Sequence, residues 1–301
     1  MYEVEVDYAP AYEFITSLYF YINKDRLKIY ELGTAWKKEI DQKLTPVFKE
    51  ALKDKRMEVI HRLSLLVPKC PGDRTPETFI SWFRGLSPSE MYDCMLPWVR
   101  EIPKDMFVLH EHFAYLFNEW NEQYFQHIDP LILNLLKQDA KEKRELLINT
   151  APADLVEQST NGIRIESERV QKLLLVPQYH YAPSSVIDYY EGFITCLYPI
   201  ENTSSSPFIS KRAIHYFSSL SDENRVLILK SLYGSKRTFK ELIEITGLAK
   251  SNLHYHLAML RTAGLIRALH SSERVESYSL RLDTASEMQQ KFLSYLKGEA
   301  T

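Results

Sequence analysis

The spacing of apolar residues over the first 150 positions predicts a mostly helical region. In two stretches, apolar residues recur three to five positions apart, as they do along one face of a helix. These series are Tyr12, Ile15, Tyr19 and Ile22, then Trp36, Ile40, Leu44, Val47 and Leu52. Pro46 marks a break or a first helical turn, Thr75-Pro76 begins another helix, and two more helices meet near Asp129-Pro130.

The pattern changes between residues 163 and 200. Continuous apolar runs end at Pro177 and Pro199, which predicts two or three strands. The stretch ENTSSSP, residues 201–207, has the composition of a linker. We therefore predict a helical regulatory or dimerisation region over residues 1–200 and a separate domain over 208–301, in a mainly α (α+β) fold.

From residue 210 onward, the helix start and stop signals become regular. Ser221, followed by the two acids Asp222 and Glu223, can cap the start of a helix. Its residues Val226, Leu229 and Leu232 face inward, and Gly234 can end it. A capping box follows at Thr238 to Glu241, and glycines at 247 and 264 delimit two further helices. A hairpin turning at 271–273 and a last helix from Asp283 to Gly298 complete the order of a winged helix-turn-helix domain.

Helical geometry assigns different environments to the two histidines of LAKSNLHYHLAMLRTAGLI, residues 248–266. Leu253, Leu257 and Leu260 form a stripe that must face a core at 3.6 residues per turn. His256 lies at the edge of that stripe, and His254 flanks the opposite face. That opposite face carries Ser251, Tyr255, Ala258 and Thr262. The two rings diverge by about 200°, so one metal ion cannot bind both.

Charge and composition favour an intracellular protein, one part of which has a polyanionic partner. The chain of 301 residues has a net charge of −3, yet residues 211–282 hold 12 Lys and Arg against 6 Asp and Glu. Such a basic segment on an acidic chain suits a polyanionic partner. The three cysteines are widely spaced, and neither a signal peptide nor a membrane-length apolar run is evident. A cytoplasmic protein with no membrane association is expected.

The motif L-A-K-S-N-L-H-Y-H-L-x-x-L-R-x-A-G-L-I resembles the recognition helix of ArsR/SmtB-type winged-helix repressors. SLSDENRVLILKSLYG resembles the opening helix of that family, and S-Y-S-L resembles its second wing strand. The resemblance covers about residues 210–297 and implies a repressor that binds a double-stranded DNA operator as a homodimer. It also implies that Ser251, Asn252, His254 and Tyr255 lie in the major groove. Ala249 departs from the family, in which many members place a serine cap.

Long cations flank the predicted recognition helix on both sides. Lys236, Arg237 and Lys240 at the start of the preceding helix are expected to contact phosphates. Lys250 and Arg274 are expected to do the same. The predicted DNA-binding residues are Lys236, Thr238, Lys240, Lys250, Ser251, Asn252, His254, Tyr255, Arg261 and Arg274. We expect no catalytic residues, no cofactor and no metal site. The cysteine pairs and the Asp/His sets of the metal-sensing relatives are missing from the corresponding segments.

Several features leave an alternative interpretation. His110 and His112, or His112 with Glu119, Glu122 and His127, could in principle hold a metal, although neither set has the usual ligand spacing. The 19 tyrosines could line an effector pocket in the N-terminal region rather than fill its core. The apolar stripe of the last helix, Ala285, Met288, Phe292, Tyr295 and Leu296, could pack on its own domain or form a dimer seam. The rival function is a small-molecule-binding or enzymatic N-terminal domain with a winged helix for protein interaction.

Overall fold

A computed structural model describes residues 2–23, 30–96, 98, 106–200, 211–271 and 274–298. The chain forms two compact units. The first consists of Met1–Ile148 and Arg169–Ile200, and the second of Asn149–Glu168 and Glu201–Thr301. Each unit has its own cluster of buried apolar side chains. The predicted linker, residues 201–207, lies outside the described residues.

Helices make up most of the first unit. Its α-helices are α1 (Pro10–Ile22), α2 (Gly33–Lys43), α3 (Pro46–Ala51), α4 (Pro76–Gly85), α5 (Pro88–Met95), α6 (Met106–Gln123) and α7 (Pro130–Leu147), with 3₁₀ segments at Lys55–Lys69 and Phe125–His127. The predicted starts at Pro46, Pro76 and Pro130 are confirmed, because the preceding Thr45, Thr75 and Asp129 accept hydrogen bonds from first-turn amides.

A four-stranded sheet completes the first unit. The strands of the chain up to residue 200 are β1 (Glu3–Val6), β2 (Ile163–Ile165), β3 (Lys172–Gln178), β4 (Val186–Tyr189) and β5 (Phe193–Pro199), and all but β2 belong to this sheet. Its order is β1-β3-β5-β4, with β4 antiparallel to β5 and the other pairs parallel. The predicted mainly α (α+β) class is confirmed. The prediction of two or three strands for residues 163–200 was too low, because this range contains four, β2 to β5. Strand β1 was not predicted.

The second unit has the predicted order of helix, helix, turn, helix and hairpin. Its elements are α8 (Pro152–Ser159), β2, α9 (Lys211–Ser219), α10 (Glu223–Leu232), α11 (Phe239–Thr246), α12 (Lys250–Thr262), β6 (Ile266–His270), β7 (Val275–Leu280) and α13 (Asp283–Lys297). Gly247, Gly264 and Gly298 adopt positive φ at the predicted helix ends. The wing hairpin β6–β7 is extended by β2, which pairs in parallel with β6.

The structure corrects the predicted domain boundary for residues 149–168. The sequence assigned them to the N-terminal region, but α8 and β2 belong to the second unit. The reason is a long-range pairing in which Ile163, Arg164 and Ile165 align with Ala268, Leu269 and His270. A strand of three residues carries no periodicity that could reveal such a partner.

Helix α10 is rotated relative to the prediction. Leu232 is buried as expected and Leu229 packs against the core, but Val226 is 48% exposed and Ile228 is buried instead. Arg225 is also buried, because its Nε donates a hydrogen bond of 2.7 Å to the carbonyl oxygen of Ser219. That anchor turns Arg225, Ile228 and Leu232 inward, and Val226 outward.

Thr238→Ala is expected to lower the free energy of unfolding of the second unit by about 1 kcal/mol. The Thr238 hydroxyl accepts a bond from the Glu241 amide, and the Glu241 carboxylate accepts one from the Thr238 amide, so α11 begins with a complete capping box. Urea unfolding followed by circular dichroism measures the change. All four tryptophans, at 36, 82, 98 and 120, lie in the first unit. Tryptophan fluorescence should therefore give an unchanged midpoint for the first unit, and a shift there instead would contradict the prediction.

Candidate DNA-reading face

The exposed face of α12 agrees with the predicted rotation. Leu253, Leu257 and Leu260 are buried in the core of the second unit, while Tyr255 is 42% exposed. His256 is 7% exposed, and its Nδ1 lies 3.6 Å from the Asp222 carboxylate. The two histidines therefore occupy different environments, with His254 exposed and His256 within the body of the domain.

Thr262 does not belong to the exposed face. It is 1% exposed, and its hydroxyl donates 2.8 Å to the Ala258 carbonyl while accepting from His215 Nε2 at 2.8 Å. Burial, and to a lesser degree Arg225, lowers the pKa of His215, which favours the neutral ring that donates from Nε2. The C-terminal end of α12 thus packs on α9, and only its first two turns remain open.

The N-terminal end of α12 is open and cationic. Lys250, Ser251 and Asn252 are all exposed. Ala249 at the N-cap supplies no side-chain hydrogen bond, as expected from the missing serine. First-turn amides at such an end can donate to a phosphate, and the helix dipole favours the negative charge.

His254 is fixed in place by the preceding helix. Its ring stacks on Phe239 at the start of α11, with ring centroids 4.2 Å apart and planes inclined by 27°. An exposed aromatic side chain held by a neighbouring ring loses less conformational freedom on binding than a mobile one. The stack therefore presents His254 as a prepositioned ring beside the exposed Tyr255.

Cationic side chains lie at the margins of this face. Lys240 and Arg274 are exposed, and Arg274 belongs to the wing hairpin. Lys236 is 59% exposed and lies 3.3 Å from a carboxylate oxygen of Glu166, so its charge is partly compensated. Thr238 caps α11 through its hydroxyl, which leaves its part in DNA contact a prediction.

The structure places Arg261 apart from the other predicted DNA-binding residues. Its Nη1 donates a hydrogen bond of 3.3 Å to the carbonyl oxygen of Thr160, which follows α8. The sequence analysis counted Arg261 among the DNA-binding residues, because nothing in the sequence shows that residues 149–168 lie against this end of α12. It also missed the carboxylate of Glu157 with its neighbouring arginines, because Glu157 precedes Arg267 by 110 residues.

The structure does not bring the alternative metal ligands together. His110 is buried, and its Nε2 lies 2.7 Å from the carbonyl oxygen of Phe83, to which it must donate. His112 lies beside Tyr115 instead. Within the described ranges, no group of three or more His, Cys, Asp or Glu side chains is arranged to hold a metal ion. Cys70, Cys94 and Cys196 form no disulfide bond with one another.

Comparisons with known proteins single out the same part of the chain. Residues 222–268, from the cap of α10 into β6, match the family described as bacterial regulatory protein, arsR family. The chain is also 37% identical over 84 residues to the uncharacterized HTH-type transcriptional regulator YceK of Bacillus subtilis (strain 168), an alignment that covers 27% of this chain and 76% of that protein. No solved structure matches the chain. Among the described helices, none is long and apolar enough to cross a membrane.

Proposed function

The chain belongs to the arsR family of bacterial regulatory proteins, and on that premise we propose that it is a repressor that binds a DNA operator as a homodimer without a metal ion. Membership in the family makes it a DNA-binding transcriptional regulator. The observation that carries the proposal further is the exposed face of α12, with Tyr255 at its centre and Lys250 at its open N-terminus. A helix with such an end can enter a major groove with its N-terminal residues on the base edges.

Selection from a random duplex library by the full-length chain tests this function. Two half-sites of a dimer one helical turn apart need a target of about 20 base pairs. We expect the library to enrich a roughly palindromic duplex. The affinity of the protein for it should fall steeply when the salt concentration rises from about 50 to about 200 mM, because phosphate contacts release counterions. No enrichment and no salt-dependent duplex binding would favour the rival function, an N-terminal enzyme or ligand-binding domain with a protein-binding winged helix. A chelator should leave the enriched complex intact.

Lys250→Ala and Arg274→Ala should each weaken binding to the enriched duplex and to a scrambled duplex by a similar factor. Both side chains are exposed cations at the margins of the reading face, and phosphate contacts carry no sequence information. The slope of log affinity against log salt should decrease by about one for each variant. Anisotropy titrations at two salt concentrations measure both quantities. Lys230→Ala, an exposed cation of α10 outside the predicted set, is the matched control and should keep the wild-type slope.

The proposed homodimer is supported by exposed apolar side chains on α9 and α13. Phe217 and Phe292 contact each other with centroids 5.3 Å apart, and both are more than a third exposed. Leu296 is 63% exposed and Ile214 is 55% exposed. Met288 differs from the predicted stripe, because it is fully buried in the core of its own unit. The rest of the stripe matches a seam that a second copy could cover.

Leu296→Glu is expected to shift the chain from dimer to monomer, because it places a charge in the proposed apolar seam. Sedimentation velocity at micromolar concentration measures the change. Gln290→Glu is the control, since Gln290 is exposed on α13 but projects away from Leu296. The same dimer population in the wild type and both variants would contradict the seam.

The first unit is proposed to bind a small-molecule effector rather than to catalyse a reaction. Its aromatic side chains include a partly buried hydrogen-bond network, in which Trp36 Nε1 donates 3.0 Å to the Tyr124 hydroxyl and that hydroxyl lies 2.7 Å from His180 Nε2. Glu13 contacts the other ring nitrogen of His180. Trp36 is part of this network, so an effector bound there should change tryptophan fluorescence. A metabolite screen read by tryptophan fluorescence and by melting temperature would reveal such an effector. No stabilising metabolite would contradict this part of the proposal.

A further inference from the structure

The α8–β2 segment, residues 149–168, contacts both parts of the second unit that are expected to read DNA. On the wing, β2 pairs with β6, and the Glu166 amide donates 2.7 Å to the carbonyl oxygen of His270. On the recognition helix α12, Arg261 donates to the carbonyl oxygen of Thr160. One short segment therefore joins two elements whose relative position decides how a duplex is contacted.

Glu157 on α8 is the centre of this junction. Its side chain is 7% exposed, and its oxygen Oε1 accepts from Arg267 Nε at 2.6 Å and lies 3.2 Å from Arg281 Nε. The second oxygen, Oε2, accepts from Arg164 Nη1 at 2.9 Å. Three guanidinium groups thus share one buried carboxylate. Removal of that charge would leave the two more buried guanidinium groups, those of Arg267 and Arg281, without their nearest carboxylate. Burial lowers the pKa of Arg281, and the negative charge of Glu157 opposes this change.

Two of these arginines extend to the DNA-reading elements. Arg267 lies on β6, and its Nη1 donates 2.8 Å to the carbonyl oxygen of Leu280 at the end of β7. Arg281 donates at 3.3 Å to the carbonyl oxygen of Gly264, which ends α12. Glu157 therefore holds the base of the wing through one arginine and the C-terminal end of the recognition helix through the other.

The backbone of the segment approaches β6 closely at Gly162. The Ala268 amide donates 2.7 Å to the carbonyl oxygen of Gly162. Gly162 has a φ of +114°, and a Cβ atom there would lie 2.4 Å from the carbonyl oxygen of Ile266. A side chain is excluded both by the conformation and by the neighbouring backbone. The close backbone contact between the α8–β2 segment and β6 therefore depends on a glycine at position 162.

We propose that Glu157 is a positioning residue for DNA recognition, which fixes the wing relative to the recognition helix without touching DNA itself. The proposal rests on the function proposed above. A binding face must be held to within a fraction of an ångström for base contacts to form, whereas phosphate contacts by long cations tolerate displacement. Loss of Glu157 should therefore reduce the distinction between the operator and other sequences more than it reduces general affinity for DNA.

The test compares Glu157→Gln with Asp154→Asn in the full-length chain. Both changes remove one negative charge from α8 at a carboxylate that accepts a hydrogen bond from Arg164. Asp154 differs in that it is 51% exposed and its ion pair is with Arg164, not with Arg267 or Arg281. The probes are the duplex that the wild type enriches from the random library and a scrambled duplex of the same composition. Glu157→Gln should bind the enriched duplex about tenfold more weakly, a loss similar to one base mismatch. It should bind the scrambled duplex as well as the wild type or slightly better, because the unit has gained positive charge.

The outcomes distinguish failure of the proposed function from failure of the positioning role of Glu157. If the wild type enriches no duplex, the proposed function fails first. If it does, an unchanged ratio of enriched to scrambled affinity in Glu157→Gln overturns the positioning role, even when the melting temperature falls. Asp154→Asn should keep the wild-type ratio of enriched to scrambled affinity. If this ratio falls as much in Asp154→Asn as in Glu157→Gln, the loss of a negative charge alone explains the effect and the positioning role is contradicted. If Glu157→Gln does not fold, Glu157→Asp decides, because it keeps the charge but cannot reach both Arg164 and Arg267. An unchanged ratio in that variant contradicts the proposal.

Discussion

Tyr255→Ala is expected to weaken binding to the enriched duplex by roughly 1–3 kcal/mol and to leave binding to a scrambled duplex almost unchanged. Tyr255 is 42% exposed at the centre of the open face, so its ring and hydroxyl can meet base edges. Anisotropy titrations on both duplexes measure the two affinities. A similar but smaller selective loss is expected for His254→Ala, because His254 flanks this face on its stack with Phe239.

His256→Ala, on the same helix, is expected to reduce stability rather than DNA affinity. Its side chain is 7% exposed and lies near Asp222, so truncation should lower the free energy of unfolding by about 1–3 kcal/mol. DNA binding well below the melting temperature should change little. If His256→Ala retains full stability while Tyr255→Ala binds the enriched duplex normally, the assignment of the two faces of α12 is wrong.

Acid should destabilise the second unit by up to about 3 kcal/mol between pH 6.5 and pH 4. Burial in the wing sheet, together with the positive charge of Arg261, lowers the pKa of His270 from 6.5 to about 4. The folded unit then binds fewer protons than the unfolded chain in this interval. The stabilisation is therefore complete above pH 6.5 and is lost as the pH falls toward 4.

His270→Gln should remove this part of the pH dependence. Urea unfolding followed by circular dichroism, repeated across the interval, gives the slope for each protein. Tryptophan fluorescence reports the first unit and serves as an internal reference, since that unit holds all four tryptophans. Carboxylates that titrate in the same interval affect the wild type and the variant alike. Parallel curves for the two proteins would show that His270 is not the group responsible.

The rotation of α12 could be predicted because its core contacts are local in sequence. Leu253, Leu257 and Leu260 recur at helical spacing, and this spacing alone separates Tyr255 from His256. The same reasoning was wrong at Val226 on α10 and at Thr262, the last residue of α12. Val226 is outside because the buried Arg225 redirects α10, and Thr262 is inside because it accepts a hydrogen bond from His215. Polar anchors of this kind override apolar periodicity.

The missing parts of the prediction all depend on distant partners. β1 pairs in parallel with β3, from Glu3 with Lys172 to Val6 with Leu175, and its four residues carry little pattern of their own. β2 depends on β6 in the same way. The carboxylate of Glu157 has no local motif either, because its arginines come from three different segments. A single sequence shows residue types along the chain, and such sites exist only once strands from distant positions have paired.

The division of the second unit into Asn149–Glu168 and Glu201–Thr301 has a consequence for synthesis on the ribosome. Glu157 is made 110 residues before Arg267, which corresponds to roughly 5–20 s of translation. During that interval residues 169–200 can already join the sheet of the first unit, while Ile163 and Ile165 have no strand to cover them. The first unit can therefore fold while the chain is still growing. Until the wing emerges, β2 has no partner strand on the side that β6 will occupy, and unpaired strand edges of this kind favour aggregation.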